Sequence, residues 1–185
     1  MALLFKEQGL FGGALKCSFP QNFYDASDVR PVPDNQEVFM NKQCNQNIIF
    51  DILESPAAQN DLNEHPATFH FKELVEDHEL GDISDGIEDT DLFQIDPENF
   101  TKECIVEIST VRGVKKRTHR DGSLENIRLT VVVFRILIHK TDIVVTFNDS
   151  EFEKDGESDQ KWSGDNFVTI LRSLKLIDSS LFVDE

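Results

Sequence analysis

"IRLTVVVFRILIH", residues 127–139, is the stretch of this sequence that decides the fold. It is apolar at consecutive positions rather than at alternate ones, which is typical of a central strand covered on both faces of its sheet. "ECIVEISTVR" (103–112) precedes it and "DIVVTFN" (142–148) follows it, and both have the residue pattern of strands. Because short links join these three strands, we expect an antiparallel meander.

Further strands and two helices are predicted on either side of this meander. Residues 8–20 are typical of a Gly-punctuated strand or hairpin, and residues 36–41 alternate as a strand does. Residues 47–55 favour a strand, with a helix as the alternative for so short an apolar run. Helices are predicted over residues 61–78 and about 164–176 from apolar residues spaced three and four apart.

The predicted fold class is α+β. We expect a mostly antiparallel sheet of about six or seven strands, with helices on both faces because the central strand is apolar on both sides. One domain over residues 1–185 is the simplest organisation for a chain of this length. Exposed loops are expected at residues 79–99, 112–123 and 149–162.

Local signals predict where the short elements begin. Asp25 or Ser27 is placed to cap a short helical turn, and Ser163 or Asp165 to cap the last helix. In the helix over residues 61–78, the residues expected on the buried face are Ala67, Phe71, Leu74, Val75 and His78.

The charge of the chain limits the classes of partner. The 35 acidic and 18 basic side chains give a net charge of −17, a field that repels nucleic acid phosphates and anionic lipid and attracts basic proteins. No apolar run approaches the roughly 20 residues of a membrane helix. Residues 1–17 are broken by charge and lack a signal-peptide pattern, so we expect a protein kept inside the cell.

Motifs of catalysis and of metal or cofactor binding are absent from the sequence. Gly12 and Gly13 are not followed by the Gly-Lys-Ser/Thr ending of a phosphate-binding loop. His65 and His70 are five apart and lack the zinc-protease pattern. A calcium loop centred on Gly86 would put only one carboxylate on its expected ligand positions. The acidic stretch 76–98 is therefore interpreted as a solvated loop, and no metal or cofactor is expected.

Two basic features have a structural and a functional interpretation. "RGVKKRTHR", residues 112–120, is expected to be a polar hairpin loop that turns at Asp121 and Gly122, with a nuclear localisation patch as the alternative. Arg135 lies within the apolar strand and needs a partner or an exit to solvent. For Arg135 we expect a structural ion pair.

Charged residues gather in the first third of the chain. Arg30, Asp34 and Glu37 lie in "VRPVPDNQEVFMN" (29–41), which joins turn chemistry to a strand. Asp51 and Glu54 lie in the apolar run "IIFDILE" (48–54). Each acid alone fits an exposed strand end, whereas two neighbouring acidic segments beside Arg30 favour a contact surface.

These same segments resemble a known family. "LFGGA" (10–14), "DASDVRPVPDNQEVF" (25–39) and "IIFDILE" (48–54) resemble the opening third of the Ran guanine nucleotide release factor family, the MOG-type proteins. "TDIVVTFN" (141–148) and "IDSSLF" (177–182) are similar to its later segments, and residues 76–126 have no comparable match.

The resemblance implies a PsbP-like fold, in which helices flank an antiparallel sheet as an α/β/α sandwich. It also implies a function: binding the small GTPase Ran and promoting release of its guanine nucleotide, in support of nuclear protein transport. Such a factor acts by binding and is not an enzyme. The Ran contacts implied by the resemblance are Arg30, Asp34, Glu37, Asp51 and Glu54.

The expected partners are Ran and other proteins of its pathway, without direct contact to nucleic acid or membrane. A monomer located in the nucleus and also the cytoplasm is expected. The alternative function is an acidic adaptor that binds Ran or another basic partner without changing nucleotide release. Preference for GTP-bound or GDP-bound Ran, and release alone against full exchange, stay open at this point.

Overall fold

The computed structural model describes residues 3–56, 65–76, 88–89, 99–100, 106–152 and 160–182. Within these ranges the chain forms ten strands and two α-helices, and every pair of neighbouring strands is antiparallel. The elements in chain order are β1 (Phe5–Leu10), β2 (Leu15–Pro20), β3 (Phe23–Asp25), β4 (Gln36–Asn41), β5 (Gln46–Glu54), α1 (Pro66–Glu76), β6 (Glu88–Asp89), β7 (Val106–Thr118), β8 (Leu124–Ile136), β9 (Thr141–Asp149), α2 (Gly164–Arg172) and β10 (Lys175–Leu176). The predicted α+β class, with mostly antiparallel sheet, is confirmed.

The larger sheet has seven strands in the order β3-β4-β5-β9-β8-β7-β6. β7, β8 and β9 are consecutive in the chain and adjacent in the sheet, so the predicted meander is confirmed. β8 ends at Ile136 rather than at residue 139, because residues 137–139 form a 3-10 turn that Lys140 closes in the left-handed conformation (φ 47°).

A second, three-stranded sheet was not predicted. The hairpin expected over residues 8–20 does form, as β1 and β2, but it pairs with β10 and not with the larger sheet. β10 follows α2, which ends at Arg172 and not at the predicted residue 176. The predicted cap of α2 is confirmed, since Asn166 N donates to Ser163 Oγ at 3.2 Å and Ser163 N donates to Asn166 Oδ1 at 2.8 Å.

Side chains from β8 alternate between two apolar clusters. Val131 and Val133 pack with Ala67, Phe71 and Val75 of α1. Their neighbours Val132 and Phe134 point to the opposite face, into a cluster shared with β2 and α2. Thus α1 packs on one set of β8 side chains, while the smaller sheet and α2 pack on the alternate set.

Helix α1 is tied to the sheet by a buried polar group as well as by its apolar face. His70 Nε2 lies 2.8 Å from Asp142 Oδ2, and Arg135 donates to both oxygens of Asp142 at 2.8 Å. Burial raises the pKa of Asp142, but the hydrogen bonds from Arg135 and His70 outweigh burial and hold it below its usual range. The predicted structural ion pair of Arg135 is confirmed. His78, the last residue predicted on the face of α1, lies outside the described residues.

The basic segment forms a strand where a loop over residues 112–123 was expected. β7 continues to Thr118, because each residue up to that point has a register partner on β8. Only the turn at residues 119–123 leaves the ladder, and it reverses at the predicted position, where Gly122 has φ 82°. The expected loop at 79–99 lies largely outside the described residues, although Glu88–Asp89 within it forms β6. Of the loop expected at 149–162, residues 153–159 lie outside them.

Gly113 allows α1 to approach β7 closely. A Cβ at this position would overlap the ring of Phe71, which is fully buried. We predict that Gly113→Ala lowers the free energy of unfolding by about 1–3 kcal/mol, the usual cost of overpacking a core. Gly164→Ala is the matched control, because an added Cβ there meets no atom within 4 Å. Urea denaturation of both variants measures the difference, and equal stability of the two would contradict the close packing described.

Candidate functional site

A groove of about 590 Å³ lies where the loop before β4 meets the turn between β1 and β2. Three carboxylates line it, those of Asp25, Asp34 and Glu37, and the described lining residues include no Lys or Arg. Its apolar walls come from five side chains, Phe11, Val32, Pro33, Ile52 and Leu181. An acidic site with apolar walls suits a basic side chain whose aliphatic stem also contacts protein.

The loop before β4 is held to β5 by hydrogen bonds at its end. Ile52 N donates to Asn35 O at 2.9 Å, and Asn35 Nδ2 donates back to Ile52 O at 3.1 Å. Gln36 N donates to Pro33 O at 2.9 Å and closes the turn. This bonding fixes the backbone on both sides of Asp34, so an exposed carboxylate is presented in a defined position.

Glu37 connects the two sheets at the groove. Its carboxylate accepts a hydrogen bond from the backbone N–H of Phe11. Glu37 is the second residue of β4 in the larger sheet, and Phe11 starts the turn between β1 and β2 in the smaller one. Phe11, Gly12 and Gly13 have φ of 50°, 66° and 93°, a left-handed run that glycine allows at two of the three positions. The "LFGGA" turn is therefore braced by a charged side chain.

Burial raises the pKa of Glu37, the Phe11 hydrogen bond lowers it, and the nearby charge of Asp25 raises it further; the net shift is upward. Asp25 itself is engaged in the predicted helical cap, since its carboxylate accepts from Ser27 N at 2.8 Å. Two carboxylates thus face one groove without an opposing cation among its described lining residues. A cation brought by a partner would offset the cost of burying the Glu37 charge and the repulsion between Glu37 and Asp25.

The structure separates the five predicted contact residues into groups. Asp34 and Glu37 line the groove, whereas Arg30 and Glu54 are exposed outside its lining. Asp51 lies on the α1 side of the sheet, as the alternation along β5 requires. It does not open to the groove.

Asp51 is connected to the groove through a neighbouring side chain. Gln36 Nε2 donates to Asp51 Oδ1 at 2.6 Å, and Gln36 is one of the lining residues. Burial raises the pKa of Asp51, and the bond from Gln36 and the proximity of His70 offset only part of this effect. Asp51 is therefore hydrogen-bonded to a lining residue without lining the groove itself.

Most lining residues were missed as site residues in the sequence, among them Phe11, Asp25, Ile52 and Leu181. Asp25 was recognised only as a cap, and Leu181 only within the segment 177–182 that resembles the family. The tandem glycines after Phe11 were the available signal, because they mark a backbone conformation that needs a brace. Sequence reasoning missed these residues because they are far apart in the chain and meet only in the folded structure.

Comparison with known proteins identifies the family of this chain. The sequence profile described as Ran-interacting Mog1 protein matches residues 8–150. The chain belongs to this Mog1 family. The matched range contains every groove residue except Leu181.

Relatives in the Mog1 family match along nearly the whole chain. The Ran guanine nucleotide release factor of Danio rerio is 31% identical and is covered to 97%, with 94% of this chain aligned. Its Homo sapiens counterpart is 28% identical, with 94% of each chain covered. The nuclear import protein mog1 of Schizosaccharomyces pombe is 31% identical over 94% of this chain and 98% of its own length.

A solved Mog1 structure shares the fold. The Saccharomyces cerevisiae Ran-binding protein Mog1p superposes with a TM-score of 0.61 and 22% sequence identity. The match covers 98% of this chain and 100% of the yeast chain.

The basic segment of β7 lies away from the groove. Lys115, Lys116 and Arg117 pair in register with residues 125–127, whereas Ile52 beside the groove pairs with Ile143. Along β8 and β9 these positions are at opposite ends of the sheet. The nuclear localisation patch remains a prediction. Among the described residues there is no His, Cys, Asp and Glu cluster suited to a metal, and no helix long and apolar enough to cross a membrane.

Substitution of Glu37 separates its charge from its hydrogen bond. Glu37→Ala leaves the Phe11 N–H without its acceptor, and we predict a loss of about 1–3 kcal/mol in the free energy of unfolding. Glu37→Gln keeps a carbonyl acceptor and should lose much less. Urea denaturation of both variants provides the comparison.

The pH dependence of the same variants tests the raised pKa of Glu37. Because the folded pKa exceeds the unfolded one, this group's contribution to stability is full below the unfolded pKa and declines as pH rises through the folded pKa. Glu37→Gln lacks that decline, so its stability relative to the unmodified protein should improve as the pH rises above about 4. A constant difference, or equal losses in the Gln and Ala variants, would refute the assignment.

Proposed function

We propose that this Mog1 family member binds the small GTPase Ran and stimulates release of its bound guanine nucleotide, in support of nuclear protein import. The observation that carries the proposal is the acidic groove, whose three carboxylates have no cation among the described lining residues. The names of the relatives, which are Ran guanine nucleotide release factors and nuclear import proteins, support the choice of Ran.

The proposed action is binding without covalent chemistry. A guanine nucleotide held at nanomolar affinity is stabilised by roughly 12 kcal/mol, and a factor speeds its release only by binding the loosened GTPase more tightly than the loaded one. The carboxylates of Asp34 and Glu37 supply such a difference if they pair with basic groups of Ran that are freer in the loosened state. Binding also relieves the unfavourable charge of Glu37 in the groove.

We assign different roles to the five predicted contact residues. Asp34 and Glu37 contact Ran directly within the groove. Arg30 and Glu54 flank this contact as exposed residues. Asp51 acts through the lining residue Gln36, whose Nε2 donates to Asp51 Oδ1 at 2.6 Å. Reversing the charge of Asp34 should therefore affect binding more than neutralising Asp51 does.

The finer architecture that we propose is one domain with a PsbP-like α/β/α arrangement. The packing of α1 and α2 into two separate clusters supports helices on both faces of the larger sheet. A monomer is proposed because the net charge of −17 opposes self-association. That charge also disfavours direct contact with nucleic acid or membrane. Residence in nucleus and cytoplasm, and further partners in the Ran pathway, follow from a role in nuclear import.

Nucleotide-release kinetics test the proposed function. Ran loaded with fluorescent GTP or GDP should lose its nucleotide faster when this protein is added at about 0.15 M salt, where charge attraction is not exaggerated. Asp34→Lys should raise the concentration needed for half-maximal release by about tenfold or more, because a like charge would face the basic partner. Glu73→Lys, an exposed acid on α1, is the matched control and should behave as the unmodified protein does.

Two other results would change the conclusion. Binding to Ran without faster release would replace the release factor with an adaptor. Absence of binding would contradict the proposed function altogether, while membership of the Mog1 family would stand.

A further inference from the structure

Exposed apolar side chains lie in the turn between β8 and β9 and just after β10, two segments that adjoin the 3-10 turn at Ser179–Phe182. Leu137 and Ile138, in the turn between β8 and β9, are 40% and 60% exposed. Ile177, which follows β10, is 54% exposed. Apolar residues that share one region of a surface indicate a contact site more strongly than scattered ones do.

Contacts of the short 3-10 turn at Ser179–Phe182 connect these side chains to the groove. Leu181 lines the groove, and the ring of Phe182 lies 5.4 Å from the ring of His139, next to Ile138. On the other side, the N–H groups of Ile177 and Asp178 both donate to Ala14 O, at 2.8 and 3.1 Å. The same turn therefore borders the "LFGGA" turn at one end and the β8–β9 turn at the other.

We propose that Leu137, Ile138, Ile177 and Leu181 form an apolar ledge that is the second half of the Ran-binding surface. The ledge would receive apolar side chains that lie next to the basic group entering the groove. This inference rests on the proposed function and extends it, because it names the chemistry of the partner segment: a Lys or Arg with exposed apolar residues beside it.

Charge favours this partner over a second copy of the chain. Two copies meeting at the ledge would bring their acidic grooves together, and each copy carries a net charge of −17. A basic partner with apolar neighbours meets both halves of the surface favourably.

The two halves have separate kinetic effects. Carboxylates in the groove speed association and make it depend on salt, whereas buried apolar contacts mainly slow dissociation. Removing part of the ledge should therefore speed dissociation at every salt concentration. Removing a groove charge should lower the association rate and weaken its dependence on salt.

Binding kinetics on immobilised Ran test the ledge. Ile138→Ser and Ile177→Ser should each increase the dissociation rate by about tenfold, the loss expected for an apolar contact near the centre of an interface. The salt dependence of association should not change. Leu124→Ser is the matched control, because Leu124 is 69% exposed at the far end of β8 and should leave both rates unaltered.

The sign of an introduced charge distinguishes a contact from a purely structural effect. Ile138→Lys places a cation against a basic partner and should weaken binding more than Ile138→Glu does. Melting temperatures of all variants establish that the exposed substitutions leave the fold intact. Equal effects of Lys and Glu, or an Ile138→Ser variant that dissociates no faster than Leu124→Ser, would overturn the ledge and leave the proposed function standing. Failure of the unmodified protein to bind Ran would overturn both.

Discussion

The hydrogen bond from Phe11 N–H to the Glu37 carboxylate is the interaction on which the candidate site depends. It joins the turn of the smaller sheet to the first strand pair of the larger one, across a gap that no shared strand bridges. The turn that it holds contains a phenylalanine in a left-handed conformation. This conformation costs free energy, which contacts with the surrounding structure must offset. A charge that suits a basic partner is thus also a structural brace.

The sheet below this brace separates the charged regions of the molecule. In the antiparallel register, the groove lies at one end of β5 and β9, and the basic part of β7 lies at the opposite end of the sheet. In between, alternate side chains of β8 and β9 pack with α1 in one cluster and with α2 and the smaller sheet in another. Burial of Asp142 between His70 and Arg135 fixes α1 on this frame by directed bonds as well as by apolar contact. Because the loop at residues 31–35 is hydrogen-bonded to this frame through Asn35, it holds the Asp34 carboxylate in a defined position.

Much of the fold could be predicted from the sequence, because consecutive apolar residues in 127–139 and capping chemistry at Ser163 are local signals. The smaller sheet could not, since the pairing of Lys175 with Lys16 joins distant residues that carry no pattern for it. Residues 113–118 were predicted as a loop because they are highly charged. They form a strand nonetheless, because the edge of a two-stranded ribbon tolerates charged side chains. Asp34 and Glu37 were identified by family resemblance and meet in the groove. Asp51 was grouped with them because the alternation along β5 does not by itself reveal which face of the sheet borders the groove.

The central claim is that the groove and its surroundings, at one end of the sheet, are the surface that binds Ran. The most direct measurement is an NMR titration of the ¹⁵N-labelled protein with unlabelled Ran, followed by amide shifts and line broadening. We predict changes in residues 11–14, 32–37, 52, 137–138 and 177–181, with residues 115–125 at the opposite end unaffected. Changes concentrated in residues 115–125, with the groove amides unmoved, would contradict the account.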